Sequence, residues 1–284
     1  GKKLPLPLEG IRVLDATHIV AGPFCSMILA DMGADVIKIE SPAGDGTRLW
    51  GPPWVEREQG DREAAYYHAA NRGKRSVVAD FKNADDLRRV RELAAGADVV
   101  LENFKTGTLA RFGLDFASLE ALNPRLVYCS ITGFGQTGPY QSRPAYDQIM
   151  QGISGIMSIT GEPDGEPQKV GIAVTDIGAG MWSAFAVMTA IFHREQKGEG
   201  QYIDISMMDA QVAWLTYQAA TYFANDEPPK RLGAAHPTLV PYQAFMCEDG
   251  KYINVAVGSE RIWDRFCQGM KMPEMKENPE YATN

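Results

Sequence analysis

The chain has 284 residues, of which 45% are hydrophobic and 23% charged, and its formal net charge is −8. This length is sufficient for a sizeable core and for two structural units. The acidic balance excludes the broad basic surface that general nucleic-acid binding requires, although local Lys and Arg residues still allow an anionic small ligand.

Cysteine usage and apolar runs predict an intracellular protein. Cys25, Cys129, Cys247 and Cys267 are widely spaced and form neither a CxxC motif nor a Cys/His cluster, so we expect reduced thiols and no metal site. The first residues lack the apolar core of a signal peptide, and the apolar run near 177–192 is shorter than a membrane span. The expected location is the cytoplasm, or the mitochondrial matrix in a eukaryote, without a membrane partner.

The first half of the chain alternates between strand and helix patterns. This alternation predicts an α/β fold with a mostly parallel, doubly wound sheet. The predicted strands are 11–17, 34–40, 75–81, 97–104 and 125–132, and the predicted helices are 23–33 and 84–95.

The second half predicts a smaller α+β domain after a polar linker at 224–233. Asp249 and Gly250 mark the turn of a hairpin over 241–258. The predicted domains are a large doubly wound domain at 1–208, a helical linker at 209–232 and a small domain at 233–284. The other predicted elements are a helix or mixed apolar segment at 147–160, a helix from Asp176 to about His193, a strand at 201–208, and helices at 209–223 and near 260–270.

A glycine-rich motif, GFGQTG at 133–138, follows a predicted strand. It matches the dinucleotide pattern, but that pattern belongs in the first βαβ unit and opens a helix, whereas Pro139 follows here. We therefore favour a loop that lines a ligand pocket over a nicotinamide or flavin site.

Two basic clusters are candidates for a local anion site. NRGKRS at 71–76 precedes a strand and ENFKTGTLARFG at 102–113 follows one, while the alternative for each is a solvated loop. His18, at the end of the first strand, is a base, a ligand contact or a satisfied core histidine, and the last of these is favoured by the residues alone.

Asp176 interrupts an apolar stretch and is followed by Gly178 and Gly180. Its ordinary interpretation is a helix N-cap, because Asp accepts the N–H groups that a first turn leaves open. Glycine costs up to about 1 kcal/mol relative to alanine in a helix, which suggests instead that a ligand approaches the backbone here. The helix dipole favours the ionised carboxylate, which would be available as a nucleophile.

Six sequence blocks together resemble the class III CoA-transferases, a family that includes formyl-CoA transferase and carnitine CoA-transferase. The chain looks closest to the branch that acts on succinyl-CoA and dicarboxylic acids such as glutarate. The blocks are 8–40, 69–82, 99–113, 129–148, 170–182 and 234–245.

The resemblance implies a Rossmann-like fold, an interlocked homodimer, and coenzyme A bound as an acyl-CoA substrate. Asp176 matches the catalytic aspartate, which would form an aspartyl anhydride and then an aspartyl-CoA thioester. The matching CoA contacts are Val20, Ala21, Ala79, Asp80, Phe81, Lys82, Asn103, Phe104, Lys105, Arg111, Thr132, Gly133, Phe134 and Gly135. The matching substrate contacts are His18, Tyr146 and His236.

The sequence departs from the family's pattern in three places, and these departures narrow the range of expected reactions. Val20 stands where formyl-CoA transferase has Gln, and that enzyme's four-glycine loop has no match, which argues against a formyl or oxalyl substrate. Tyr146 stands where the related α-methylacyl-CoA racemases have a catalytic His, so one of the two bases of a racemase is missing. The third departure is length, because the chains of this family are longer than 284 residues. A racemase or epimerase and a non-catalytic CoA-binding protein are the alternatives.

Overall fold

A computed structural model describes residues 5–57 and 60–281. The first four residues, on which the expectation about a signal peptide partly rests, lie outside them. The strands are β1 (Arg12–Ala16), β2 (Asp35–Glu40), β3 (Trp54–Glu56), β4 (Arg62–Ala64), β5 (Lys74–Val78), β6 (Val99–Glu102), β7 (Val127–Thr132), β8 (Gln201–Ser206), β9 (Tyr242–Met246) and β10 (Tyr252–Ala256). The helices are α1 (Ala21–Asp31), α2 (Ala65–Asn71), α3 (Ala84–Ala95), α4 (Phe116–Glu120), α5 (Asp147–Ile153), α6 (Val174–Lys197), α7 (Met207–Val212), α8 (Thr216–Asn225), α9 (Glu260–Gly269) and α10 (Pro273–Glu277).

The predicted doubly wound sheet is confirmed. Six strands lie in the order β5-β2-β1-β6-β7-β8, and every neighbouring pair is parallel. The chain begins near the centre with β1 and winds outward to both edges, so the winding direction reverses between β1 and β6. The strands predicted for the first half all form, with bounds that differ by a few residues.

The central strands face a core on each side of the sheet. Val13 and Val99 pack in the core that includes residues of α1 and α6, whereas Leu14 and Val100 pack in the core that includes residues of α3. Neighbouring residues of a strand point to opposite faces, so both faces are apolar in a sheet that is covered twice. Burial on both faces explains why the sequences of these strands are largely apolar.

The chain divides into two compact units, one of residues 1–154 and 171–216 and the other of residues 155–170 and 217–284. These bounds differ from the predicted domains, because 155–170 leaves the first unit and 209–216 joins it. The predicted domains therefore stay a prediction. In the second unit, β9 and β10 form the expected antiparallel hairpin, and α9 matches the helix expected near 260–270.

The predicted helix at 209–223 is interrupted. Helix α7 ends at Val212, a short 3₁₀ turn follows at Ala213–Leu215, and Thr216 has a φ of 39°, outside the range of an α-helix. Helix α2 and the β3–β4 hairpin lie outside the predicted elements. Strands of three residues are too short for their alternation to be recognised.

Helix α6 has 24 residues and is long and apolar enough to cross a membrane by length and composition alone, contrary to the expectation for the run near 177–192. One such helix is weak evidence for a span, and 56% of its apolar window is buried inside the protein. Its buried side chains, such as Val187 and Ile191, belong to the same core as the sheet. Its apolar character is therefore used in core packing.

A glycine allows α6 to lie close to α1. A Cβ atom at Gly180 would lie 2.7 Å from the carbonyl oxygen of Ala21 and 3.1 Å from Cδ1 of Phe24. Both distances are shorter than ordinary contacts, and a backbone carbonyl in a packed helix cannot turn away. The close contact between the two helices therefore requires glycine at position 180.

We expect Gly180→Ala to lower the free energy of unfolding by about 1–3 kcal/mol, because overpacking outweighs alanine's better helix propensity. Urea unfolding followed by tryptophan fluorescence measures the effect. Gly269→Ala in α9 is the matched control, since a Cβ atom there meets nothing within 4 Å. A Gly180→Ala protein as stable as the wild type would contradict the packing argument.

Candidate active site

A cavity of about 250 Å³ opens at the carboxyl edge of the parallel sheet. Three of its wall segments lie at or after strand ends: 18–21 after β1, 103–106 after β6, and 131–133 at the end of β7. The start of α6 adds Asp176. Sheets of this type bind ligands at this edge, beside the point where the winding reverses, which here lies between β1 and β6.

The structure brings many of the predicted site residues together at this cavity. Those that line it are His18, Val20, Ala21, Asn103, Phe104, Lys105, Thr132, Gly133, Tyr146 and Asp176. Those outside its lining are Ala79, Asp80, Phe81, Lys82, Arg111, Phe134, Gly135 and His236. Phe81 still contacts the wall, because its ring centroid lies 6.1 Å from that of Phe104. The roles of these residues stay predictions.

The wall after β1 is held in an unusual backbone conformation. Ile19 has a φ of 72°, which a β-branched residue rarely adopts. Its N–H donates to the Asp45 carboxylate at 3.3 Å, while His18 and Asn103 exchange two hydrogen bonds, His18 N to Asn103 Oδ1 at 3.0 Å and Asn103 Nδ2 to His18 O at 2.8 Å. These bonds hold the segment in place from two sides.

A buried ion pair lies behind this wall. Lys38 Nζ is 3.1 Å from Asp45 Oδ2, both side chains are almost completely buried, and Lys38 also donates to the carbonyl of Thr17 at 2.7 Å. Lys38 was in no predicted site. The sequence could have indicated it, however, because a lysine inside the apolar run DVIKIE is unusual for a strand with two buried faces.

A second buried carboxylate, Asp15, joins the same cluster. Burial by itself would raise the pKa of Asp15, but Lys74 and Lys38 and the hydroxyls of Ser26 and Thr17 hold it well below the ordinary value. Lys74 lies 3.2 Å from Asp15 and also donates to the carbonyl of Pro23. The Lys74 ammonium is therefore used inside the protein, where it contacts a buried carboxylate and a backbone carbonyl.

The interpretation of 71–76 as an anion site is wrong for this reason. Lys74 is buried against Asp15, while Arg72 pairs with Asp31 and Arg75 with Asp35. Each cation already has a carboxylate partner.

A carboxylate holds the backbone of each of the other two walls. Asp204 of β8 accepts the N–H of Gln136 at 2.9 Å, which fixes the glycine-rich loop, and Glu102 accepts the N–H of Phe104 at 2.8 Å. Burial raises the pKa of Glu102 to about 7. The loop opens no helix, which agrees with a pocket lining rather than a dinucleotide site.

Asp176 is not the N-cap of α6. The cap position is Ala173, and Asp176 lies in the first turn of the helix. The capping carboxylate belongs to Asp147 of α5, whose Oδ1 accepts the N–H of Thr175 at 2.8 Å and that of Asp176 at 3.3 Å. A cap from a distant segment leaves no local sequence signature at residue 173.

The Asp176 carboxyl is buried, with 8% of the residue exposed. Burial, and secondarily the negative charge of Asp147, raise its pKa to about 7. The expectation that the helix terminus keeps this group ionised at neutral pH is therefore only partly correct, because burial outweighs the dipole. No described residue donates a hydrogen bond to either oxygen.

The glycines after Asp176 serve packing between protein segments. A Cβ atom at Gly178 would lie 3.0 Å from Cζ2 of Trp214, and one at Gly180 would meet α1. The hypothesis that they give a ligand access to the backbone is therefore wrong, because protein atoms occupy the space beside both.

Known proteins match this chain over nearly its whole length. The family model for CoA-transferase family III matches residues 8–284. The chain belongs to CoA-transferase family III. The recognition made from the six sequence blocks is confirmed.

Two relatives in this family have names that describe activities. The succinate–glutarate CoA-transferase of Agrobacterium fabrum is 51% identical over 280 residues, covering 98% of this chain and 70% of that protein. The succinyl-CoA:glutarate CoA-transferase of Homo sapiens is 42% identical over 279 residues, covering 98% of this chain but only 62% of that protein. This family III chain therefore spans about two thirds of their length.

A solved structure shares the fold. A CaiB/BaiF family protein from Brucella suis superposes with a TM-score of 0.89 at 48% identity, covering 99% of this chain and 74% of that one. The doubly wound architecture is thus shared with a solved CaiB/BaiF family protein.

Lys38→Met should destabilise this CoA-transferase by about 3–5 kcal/mol, because it leaves the Asp45 charge buried without its partner. Lys38→Met/Asp45→Asn should recover part of that loss. Urea unfolding of the wild type, both single variants and the double variant gives the coupling energy. The double variant could instead lose as much free energy of unfolding as the two single variants lose together. In that case the two side chains are not coupled, and the ion pair does not hold the wall.

Proposed function

We propose that the protein transfers CoA from an acyl-CoA donor such as succinyl-CoA to a dicarboxylic acid. The observation that carries the proposal is the Asp176 carboxylate, which lines the cavity and receives no hydrogen bond from any described residue. The relative at 51% identity is named for succinate and glutarate, and the relative at 42% identity for succinyl-CoA and glutarate, which supports this donor and this class of acceptor.

In the first half of the reaction, an oxygen of the Asp176 carboxylate attacks the thioester carbonyl carbon of the donor. The C–S bond breaks, CoA leaves as the thiolate, and an acyl-aspartyl anhydride remains. The thiolate then attacks the aspartyl carbonyl carbon, the donor acid leaves as its carboxylate, and an aspartyl-CoA thioester is formed.

The second half reverses these steps with a different acid. The acceptor carboxylate attacks the aspartyl-CoA thioester and expels the thiolate, which gives a second anhydride. The thiolate attacks the acceptor's acyl carbon, so the new acyl-CoA forms and the Asp176 carboxylate is released. An activated acyl bond is present at each stage, provided that water is excluded.

The cavity suits the reacting end of CoA. Its volume of about 250 Å³ is smaller than the roughly 300–1,000 Å³ of pockets that enclose whole drug-sized ligands. The nucleotide end would then lie on the surface outside it, near Lys82, Lys105 and Arg111. These exposed cations have no ion-pair partner among the described residues, so they are available for phosphates.

We expect rapid acid quenching after incubation with succinyl-CoA to leave a CoA or succinyl adduct on the peptide that contains Asp176. Asp176→Ala should remove the adduct and lower the transfer rate by roughly 10⁴-fold or more, because it removes the nucleophile. Asp115→Asn, at the start of α4, is the control carboxylate. Full activity of Asp176→Ala would contradict the proposal, as would exchange of the donor's α-proton with solvent in the absence of adduct and acceptor.

We also propose a homodimer, which the family resemblance implies. The exposed face of α6 supports it, because Met181, Trp182, Phe185 and Phe192 are between 43% and 66% exposed along one helix. Contiguous apolar side chains of this kind are typical of protein–protein contacts. A second copy of the chain would cover them.

Phe185→Glu/Phe192→Glu should convert the dimer to a monomer, because two charges would be buried in an apolar contact. Size-exclusion chromatography with light scattering measures the mass. Leu122→Glu is the control, since Leu122 is exposed to a similar degree but lies two residues after the end of α4. A wild-type protein that is monomeric at micromolar concentration would refute the dimer.

A further inference from the structure

Two carboxylates, those of Asp147 and Asp176, lie at the start of α6, but of the two only Asp147 accepts hydrogen bonds from the described residues. Asp147 Oδ1 accepts the N–H groups of Thr175 and Asp176, whereas no described residue donates to the Asp176 carboxylate. The hydroxyl of Thr175, which could otherwise serve the helix end, donates to Gln211 Oε1 at 2.7 Å. The backbone of the first turn is therefore held by Asp147.

The capping carboxylate comes from another helix, which is unusual within this chain. In α3 and α7, the caps are Asn83 and Ser206, and each lies directly before its own helix. The residue at the cap position of α6 is Ala173, which has no capping group. Helix α6 thus depends on Asp147, 28 residues earlier, for the acceptor at its first turn.

Asp147 is itself fixed in place. Its Oδ2 accepts a hydrogen bond from Gln151 Nε2 at 2.6 Å, one turn further along α5, and Gln151 is fully buried. Tyr146, the residue before Asp147, lines the cavity together with Asp176. The two helix starts therefore converge on the same cavity, and Asp147 joins them.

We propose that Asp147 is a positioning residue for the nucleophile Asp176, an inference that rests on the proposed function. It satisfies the helix end with a carboxylate that does not react, so both oxygens of Asp176 stay available for attack. During transfer, Asp176 is converted to a neutral anhydride and then a neutral thioester. The unreacted Asp147 charge remains at the helix N-terminus throughout, so the first turn does not have to rearrange when the Asp176 charge is lost.

Several titratable groups surround Asp176. Asp147 from α5 and Tyr66 from α2 interact with it electrostatically, and His18, Lys105, Arg143 and Tyr146 line the same cavity. Burial, as the main cause, lowers the pKa of His18 from its usual value, whereas burial raises the pKa of Asp176 to about 7. The acid limb of the acylation rate near pH 7 is therefore assigned to Asp176.

The test measures the rate of Asp176 acylation by succinyl-CoA against pH, using rapid quench and mass spectrometry. Asp147→Asn keeps an acceptor oxygen but removes the charge, so the acid limb should move to lower pH by about one unit. Asp147→Glu keeps the charge but displaces the oxygen, so the limb should stay in place while the maximal rate falls on the order of 100-fold. Asp115→Asn should change neither quantity.

An acid limb that is unchanged in Asp147→Asn, together with a normal maximal rate in Asp147→Glu, would overturn the positioning role. If Asp147→Glu does not fold, the pH profile of Asp147→Asn decides by itself. The proposed function fails separately, because its failure is the absence of an adduct on Asp176 in the wild-type protein.

Discussion

The cavity depends on a buried ion pair that lies outside its lining. Lys38 and Asp45 are almost completely removed from water, and such a pair is tolerated only when further hydrogen bonds satisfy both charges. Two of those further bonds involve Thr17 and Ile19, the backbone of the wall after β1, and Thr47 donates two more to Asp45. Relaxation of the strained conformation at Ile19 would remove one donor from the buried Asp45 carboxylate, which helps the strain to persist. Protein groups alone hold the wall in this conformation.

The start of α6 is governed by a conflict between two electrostatic effects. The helix terminus favours a charged Asp176, whereas burial and the Asp147 charge oppose it, and the pKa of about 7 shows that the opposing effects are larger. Because this value lies above that of an unfolded aspartate, the contribution of Asp176 to stability falls as pH rises from about 4 through 7. In the proposed reaction, this poorly solvated carboxylate would have little water to lose when it attacks. On that proposal, the site gives up stability at neutral pH for a more reactive group.

The sequence predicts the sheet well and the site only in part. Parallel strands buried on both faces are mostly apolar, so β1, β2, β6 and β7 are recognisable. Asp176 is conspicuous as an acid in an apolar stretch. Its supporting contacts are not local: Asp147 caps a helix 28 residues away, and Lys38 pairs with a loop residue. The cations at 71–76 misled for the same reason, because their partners Asp15, Asp31 and Asp35 come from other elements.

The contact between Gly180 and Ala21 has a consequence for the width of the cavity. Ala21 begins α1 and lines the cavity, while Gly180 lies one turn after Asp176 on α6. The spacing of these two helices therefore bears on the distance between Asp176 and Ala21, which line the same cavity. A methyl group at residue 180 would force the helices apart and would cost stability, because it would overlap the Ala21 carbonyl oxygen. The width of the cavity is thus tied to helix packing as well as to the side chains that line it.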